Sequence, residues 1–263
     1  MFPANVTLEP ISHVYKNKQG DKYLSVSALL SMLSEPFAKD SIAGFVAKSR
    51  GVSKEQVIAE WDKKRDDAAN HGTRIHEAIE RWSDFKTVKE GDEELADVIK
   101  SINGEYSKYN KSHNEVCLYS DKYRIAGTTD KICVISKTEG CDVDIADFKT
   151  NLSKPIQYFS EYKKTLYAPL NHLQDCNFIK YSLQLSLYAY MFEELTGRRV
   201  RQLYIHMIPP PIIKEDGSYD FSSLMEHRKI PVYYAKGDVK LLLEHYSSAI
   251  LEKVNQQSFI TEL

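Results

Sequence analysis

The sequence predicts an α/β (α+β) domain, a mixed central sheet flanked by helices and preceded by an N-terminal helical region. Three observations predict it. Up to about Lys111 the spacing of apolar residues is mainly helical. Three segments then follow in which apolar and polar residues alternate as they do in strands. Two helical stretches close the chain, with two more strand-like segments between them. Helices on both sides of a strand run are the pattern of a layered domain built on one sheet. The 263 residues suffice for one large domain, and no repeat, low-complexity tract or Gly/Ser linker divides them. A single domain over 1–263 is therefore expected, with a hairpin and helical region in 1–110 and the sheet and helix core in 111–263.

The elements follow in order. "HVYKNKQGDKYLSVSALL" reads as a hairpin around Gly20–Asp21 that enters a helix near Ser27. Ser53, followed three residues later by Gln56, is a capping-box pattern that opens a long helix. Asn70–Gly72 is expected to interrupt it, with a fresh helix from Gly72 or Thr73 through Trp82. "EVCLYS", "YRIAGTTDKICVI" and "DVDIADFKT" read as strands, with turns at Ser120–Lys122 and Ser136–Gly140. "FIKYSLQLSLYAYMFEELTG" reads as a largely buried helix stopped by Gly197. "RRVRQLYIHMI" is a strand, "KEDGS" a turn, "PVYYA" a last strand, and "GDVKLLLEHYSSAILEKV" a closing amphipathic helix.

Composition narrows the function. Hydrophobic residues make up 42% and charged residues 27%, as in an ordinary globular protein. A net charge of −2 argues against a broad nucleic-acid-coating surface, though not against a local basic groove. No apolar run approaches the ~20 residues of a membrane helix, so no membrane partner is expected. The opening "MFPANVTLEP" lacks the basic and apolar parts of a secretory signal, so an intracellular, cytoplasmic protein is expected. Cys117, Cys133, Cys141 and Cys176 form no Cys-x-x-Cys pair and read as reduced, mostly buried thiols.

The strand end "IADFKT" raises the chemical question. Asp147 and Lys149 lie two apart and so share a face. They are either a surface ion pair of little energetic weight or the working end of a site. The preceding strand carries "GTTD", ending at Asp130, and the hairpin tip falls near Thr138–Glu139. With an even loop, Asp130 faces Asp147 or Lys149, whereas a one-residue slip separates them. Val143 and Ile145 share the same face further back and anchor it in the core. Two adjacent carboxylates repel unless a cation lies between them. Their oxygens suit Mg²⁺, which lowers the pKa of bound water and stabilises charge on a phosphoryl group. Lys149 can orient that water or stabilise the developing charge, and the Phe148 backbone carbonyl can add an oxygen. The alternative is a solvated strand end with incidental charges.

Two helical pairs add to this. In "HGTRIHEAIERW", His76 and Glu80 are one turn apart. His76 is either structural or, facing the acids, a nitrogen ligand that favours Mn²⁺ alongside Mg²⁺. The stretch is not a zincin motif, because Glu80 stands where that motif needs its second histidine. In "KYSLQLSLYAY", Gln184 and Tyr188 are polar tips in an apolar helix and need partners, in the core or in a site.

In chain order these pieces are Gly-Thr-x-x-His (Gly72 to His76), Gly-x-x-Asp (Gly127 to Asp130), Asp-x-Lys-Thr (Asp147 to Thr150) and Gln-x-x-x-Tyr (Gln184 to Tyr188). The ordered set resembles the PD-(D/E)XK nuclease superfamily, specifically its RecB-like branch. That branch holds CRISPR-associated exonucleases, the mitochondrial genome-maintenance exonuclease and many phage nucleases. The set spans roughly residues 71 to 190, and the flanks "YLSVSALLSMLSEPF" and "LNHLQDCNFIKYSLQLSLYAYMFEE" are similar to phage members. The resemblance implies a restriction-endonuclease-like mixed sheet and a Mg²⁺- or Mn²⁺-dependent deoxyribonuclease. It implies an exonuclease acting on single- or double-stranded DNA in phage or bacterial replication, recombination or repair, with replication or recombination proteins as partners and, for a phage protein, the host cytoplasm as its location. His76, Asp130, Asp147 and the Phe148 carbonyl would hold the metal, with Asp130, Asp147 and Lys149 catalytic. Gln184 and Tyr188 would position the site and the DNA backbone, and Glu80 and Glu115 are further acidic candidates.

Two departures stand out. Thr129, not the usual proline, precedes Asp130, and no cysteine follows Cys176, so no iron–sulfur cluster is expected. Two rival readings remain at this point: a catalytically silent DNA-binding or assembly module that kept the fold, and an unrelated α/β protein whose charges are surface pairs.

Overall fold

The computed structural model describes residues 5–9, 14–135, 142–150, 156–216 and 218–259. The expected turn at Ser136–Gly140 with its tip at Thr138–Glu139, Cys141, and Gly217 of the "KEDGS" turn lie outside these residues. Strands β1 (Val6–Glu9), β2 (Val14–Asn17) and β3 (Lys22–Ser25) form an antiparallel meander. The β2–β3 turn is the expected one: Asn17 Oδ1 accepts from the Gln19 and Asp21 amides, and Gly20 takes a φ of 87°. Ser25 then caps α1 (Val26–Ser31) through the Ala28 amide, two residues before the expected start.

Helices α2 (Lys39–Arg50) and α3 (Lys54–Phe85) pair around a small core of Ala43, Ala47 and Val57. The Ser53–Gln56 capping box is present in both directions. The expected break at Asn70–Gly72 is absent, and α3 runs unbroken for 32 residues. A helical glycine costs only about 1 kcal/mol relative to alanine. Gly72 has a packing reason to be there, since a Cβ would stand 3.1 Å from Thr150 Oγ1.

The rest of the chain comprises α4 (Ala96–Gly104), β4 (Lys111–Ser120), β5 (Ile125–Val134), β6 (Val143–Thr150), α5 (Asn177–Thr196), β7 (Val200–Ile208), the short pair β8 (Ile212–Ile213) and β9 (Tyr219–Asp220), β10 (Arg228–Val232) and α6 (Lys236–Phe259). Gly197 ends α5 in the left-handed conformation as expected. Several strand bounds differ from expectation, most by one or two residues. Strand β4 starts four residues before Glu115, and Tyr123 and Arg124 belong to the turn before β5. The last strand is Arg228–Val232 rather than "PVYYA", because it pairs with β7 from Leu203 to Met207 and leaves Tyr233 exposed.

The sheet is mixed and eight-stranded, in the order β1-β2-β3-β5-β6-β7-β10, with β4 on β5. The β3–β5 and β6–β7 pairs are parallel, and α5 supplies the crossover between β6 and β7. One edge of β5 is shared. Strand β3 pairs with Ile125–Ala126, β6 pairs with Lys131–Val134, and the ladders leave Gly127–Asp130 free between them. One face packs α1, α5 and α6 in the largest apolar cluster, which includes the expected anchors Val143 and Ile145. The other face packs α3 and α4 over Cys133, Ala146 and Phe148. This is the expected mixed sheet flanked by helices, and it agrees with a restriction-endonuclease-like architecture.

Beneath α3 and α4 the sheet buries an ammonium. Lys131 is 1% exposed and donates to Asn114 Oδ1 at 2.6 Å and Ser83 Oγ at 3.1 Å. Burial pushes its pKa down. Cys133 and Cys176 are buried and Cys117 is half-buried, all as free thiols. Among the described residues no helix is long and apolar enough to cross a membrane.

Candidate active site

Three strands bring three acids into one row. The β4–β5 pairs Asn114–Lys131 and Val116–Thr129 set Glu115 opposite Asp130. The β5–β6 register, continued one step past Lys131–Ala146, sets Asp130 opposite Asp147. Of the two partners expected for Asp130, the strand offers Asp147. Backbone regularity fails at this row. Glu115 has a φ of 47°, a left-handed conformation uncommon for a non-glycine residue. The alternation of β5 also changes phase here, since Ile125 on one side and Ile132 and Val134 on the other all enter the same apolar cluster.

From α3, His76 reaches this row. Its Nδ1 lies 3.5 Å from Asp130 Oδ1, and the Phe148 ring stands edge-on to it at 5.9 Å. Ligand atoms of His76, Glu115 and Asp130 all fall within 4.8 Å of one another. The other Asp130 oxygen accepts the Phe148 amide at 2.5 Å. That bond spans the gap in the β5–β6 ladder with a side chain in place of a carbonyl. His76 and Glu115 open into a cavity of about 390 Å³, lined also by Gly72, Thr73, Glu77 and Glu80.

Behind it is a buried polar chain. The Lys149 ammonium lies against Asp147 Oδ2 and donates to Gln184 Oε1 at 2.9 Å. Gln184 Nε2 in turn donates to the Tyr188 hydroxyl at 3.1 Å. Tyr188 fits only because residue 127 is glycine: a Cβ there would stand 2.7 Å from the Tyr188 ring. The Lys149–Asp147 approach is an ion pair without hydrogen-bond alignment, and it leaves Asp147 Oδ2 buried without a donor.

Electrostatics follow from this crowding. Burial, then the charge of Asp130, push the Asp147 carboxyl up to about 6 against the pull of Lys149. Desolvation and Asp130 push Glu115 up to about 7, with Glu80 adding to the repulsion. Glu115 is exposed as a residue, so solvent discounts the desolvation, and the facing charge of Asp130 is the firmer cause. For His76 burial opposes the charged ring, but the Asp130 hydrogen bond and charge outweigh it and raise its pKa. Lys149 is likewise raised, because Asp147 and Asp130 outweigh its burial.

The structure thus brings His76 and Asp130 together, ties Phe148 to Asp130 through its amide, and joins Asp147, Lys149, Gln184 and Tyr188 in a chain of contacts behind them. Glu115 stands closer to His76 and Asp130 than expected of a secondary candidate, and Asp147 is not among the three residues whose ligand atoms converge. Glu80 lines the cavity without joining them. Sequence reading missed Tyr181, whose ring lies 4.6 Å beneath the Lys149 ammonium. Its spacing three before Gln184 was the available signal.

No family model and no curated protein matches the chain. Among solved structures, one from Eubacterium rectale named "Putative exonuclease" aligns at 15% identity with a TM-score of 0.40, covering 89% of this chain and 82% of its own. A second, SSO0001, aligns at 15% identity with a TM-score of 0.28, covering 67% of this chain and 73% of its own.

Proposed function

We propose that this chain is a divalent-metal-dependent deoxyribonuclease of the RecB-like PD-(D/E)XK kind, an exonuclease serving phage or bacterial DNA replication, recombination or repair inside the cell. The carrying observation is the convergence of one imidazole and two carboxylates, His76, Glu115 and Asp130, within 4.8 Å. The donor set fits Mg²⁺ or Mn²⁺: oxygens with one nitrogen, and like charges that repel without a cation.

His76, Glu115 and Asp130 are the proposed holders. Asp147 stands behind them, and the Phe148 carbonyl leaves its strand on the same side as the amide that reaches Asp130. When bound, the ion supplies Lewis acidity toward a phosphoryl oxygen and a more acidic water. Lys149 stays protonated and offers its ammonium to the charge that develops on the phosphoryl group. Gln184 fixes that ammonium in place, and Tyr188 fixes Gln184.

Digestion of end-labelled single- and double-stranded DNA with Mg²⁺ or Mn²⁺, resolved by product length, tests the reading. Short products released from an end, stopped by EDTA, are expected. Robust cleavage in metal-free buffer would sink the metal mechanism. Saturable Mn²⁺ and DNA binding with no cleavage under any condition would make the chain a silent binding module.

A second prediction separates positioning from packing. Gln184→Ala and Tyr188→Phe are each expected to slow cleavage at least about tenfold, scaled down from the 10²-fold or more typical of a lost positioned donor. Melting temperature should move only a few degrees, and Mn²⁺ affinity should stay as in the wild type. A loss of stability with no loss of rate returns this helix to the core.

A further inference from the structure

We infer that a ladder of aromatic rings leading outward from Lys149 binds an unpaired DNA strand by stacking, so that substrate enters as a single strand. The inference rests on the nuclease reading above. Phe178, Tyr181, Gln184 and Tyr188 lie three, three and four residues apart and so line one face of α5. Burial falls along that face. Tyr188 is 3% exposed, while Gln184, Tyr181 and Phe178 are half-buried.

The Lys149 ammonium rests over Tyr181, and the Phe178 ring meets that of Tyr158 at 4.9 Å. Beyond Tyr158 the chain displays Phe159 at 73% exposure and Tyr162 at 80%, followed directly by Lys163 and Lys164. The Lys164 ammonium pairs with Glu35 at 3.2 Å in an ion pair open to solvent.

Rings so exposed gain nothing from the core. Aromatic faces beside lysines are what a nucleic-acid strand uses, with bases stacking on the rings and phosphates meeting the cations. In a duplex each base face is already covered by its neighbours, so only unpaired bases can meet these rings. The inner end of the ladder is the lysine proposed to act on the phosphodiester.

The test is binding of a fluorescein-labelled oligodeoxythymidylate, read by anisotropy in EDTA so that no cleavage intervenes. Phe159→Ala/Tyr162→Ala, both at exposed positions, should raise Kd at least about tenfold. Phe159→Trp/Tyr162→Phe should bind as the wild type does. An abasic oligonucleotide of equal length should bind the wild type as weakly as oligodeoxythymidylate binds the double-alanine variant. With Mn²⁺, hydrolysis of bis(p-nitrophenyl) phosphate, a single small diester with no strand to lie along the ladder, should be equal in all of them. Equal oligodeoxythymidylate binding by the wild type and the double-alanine variant overturns the ladder, as does tighter binding of blunt duplex than of single strand. If the expected binding pattern holds but the wild type hydrolyses neither the small diester nor DNA, the ladder stands and the nuclease reading is what fails.

Discussion

Lys149→Ala is expected to remove cleavage while leaving Mn²⁺ binding in place, and Asp130→Ala to remove both. Lys149 brings no lone pair to a cation when protonated, and its surroundings keep it protonated. Its loss deletes one preorganised donor from a buried site, which costs on the order of 10²- to 10³-fold in turnover. Asp130 is different because both of its oxygens are engaged, one toward His76 and one by the Phe148 amide. Alanine there strips a ligand and leaves a buried amide without its acceptor, a cost of about 1–3 kcal/mol. Lys149→Met serves as a second form of the first variant, since it keeps most of the apolar stem beside Tyr181. Calorimetric Mn²⁺ titration alongside the cleavage assay decides the matter. Near-wild-type cleavage by Lys149→Met, or undiminished Mn²⁺ affinity in Asp130→Ala, contradicts the assignment.

Gly127→Ala is expected to lower both stability and rate, although it adds only one methyl group. That carbon would sit 2.7 Å from Tyr188 Cε1 and 3.1 Å from Val26 Cγ2. Overpacking of this kind costs about 1–3 kcal/mol. Both neighbours are almost fully buried, so neither can swing away freely. The ring that yields carries the hydroxyl on which Gln184 rests, and Gln184 holds Lys149. The displacement therefore propagates to the ammonium, and a tenfold or larger rate loss is expected by the same positioning argument. Melting temperature and turnover of this one variant are the measurements. Preservation of both shows that Tyr188 has room to move and that the glycine is incidental.

Much of this architecture was legible in the sequence because its signals are local. The Ser53–Gln56 cap, the Gly20 turn, the Gly197 stop and the period change after Lys111 each depend on a few neighbouring residues. Alternation along two strands put Asp130 opposite Asp147 or Lys149, given an even loop, and only the register selects Asp147. Features that depend on distant partners were not legible. Gly72 reads as a helix breaker until Thr150 is seen packed against it. The N-terminal hairpin reads as lying outside the sheet of 111–263 until β3 is found paired in parallel with β5. Glu115 reads as one more residue of an alternating strand, and nothing local announces that its backbone turns left-handed opposite Asp130. The weight given to Asp147 over Glu115 reflects that blindness.

The backbone at Glu115 has a consequence for how such a chain tolerates mutation. A side chain held at φ 47° is strained, and its carboxylate also faces Asp130, a like-charge pairing that weakens a sheet. Glycine would relieve both burdens at once. Thermodynamic stability alone therefore pulls this position away from glutamate. Random substitution under no demand but folding would erase this glutamate early, leaving a smoother sheet beside Asp130.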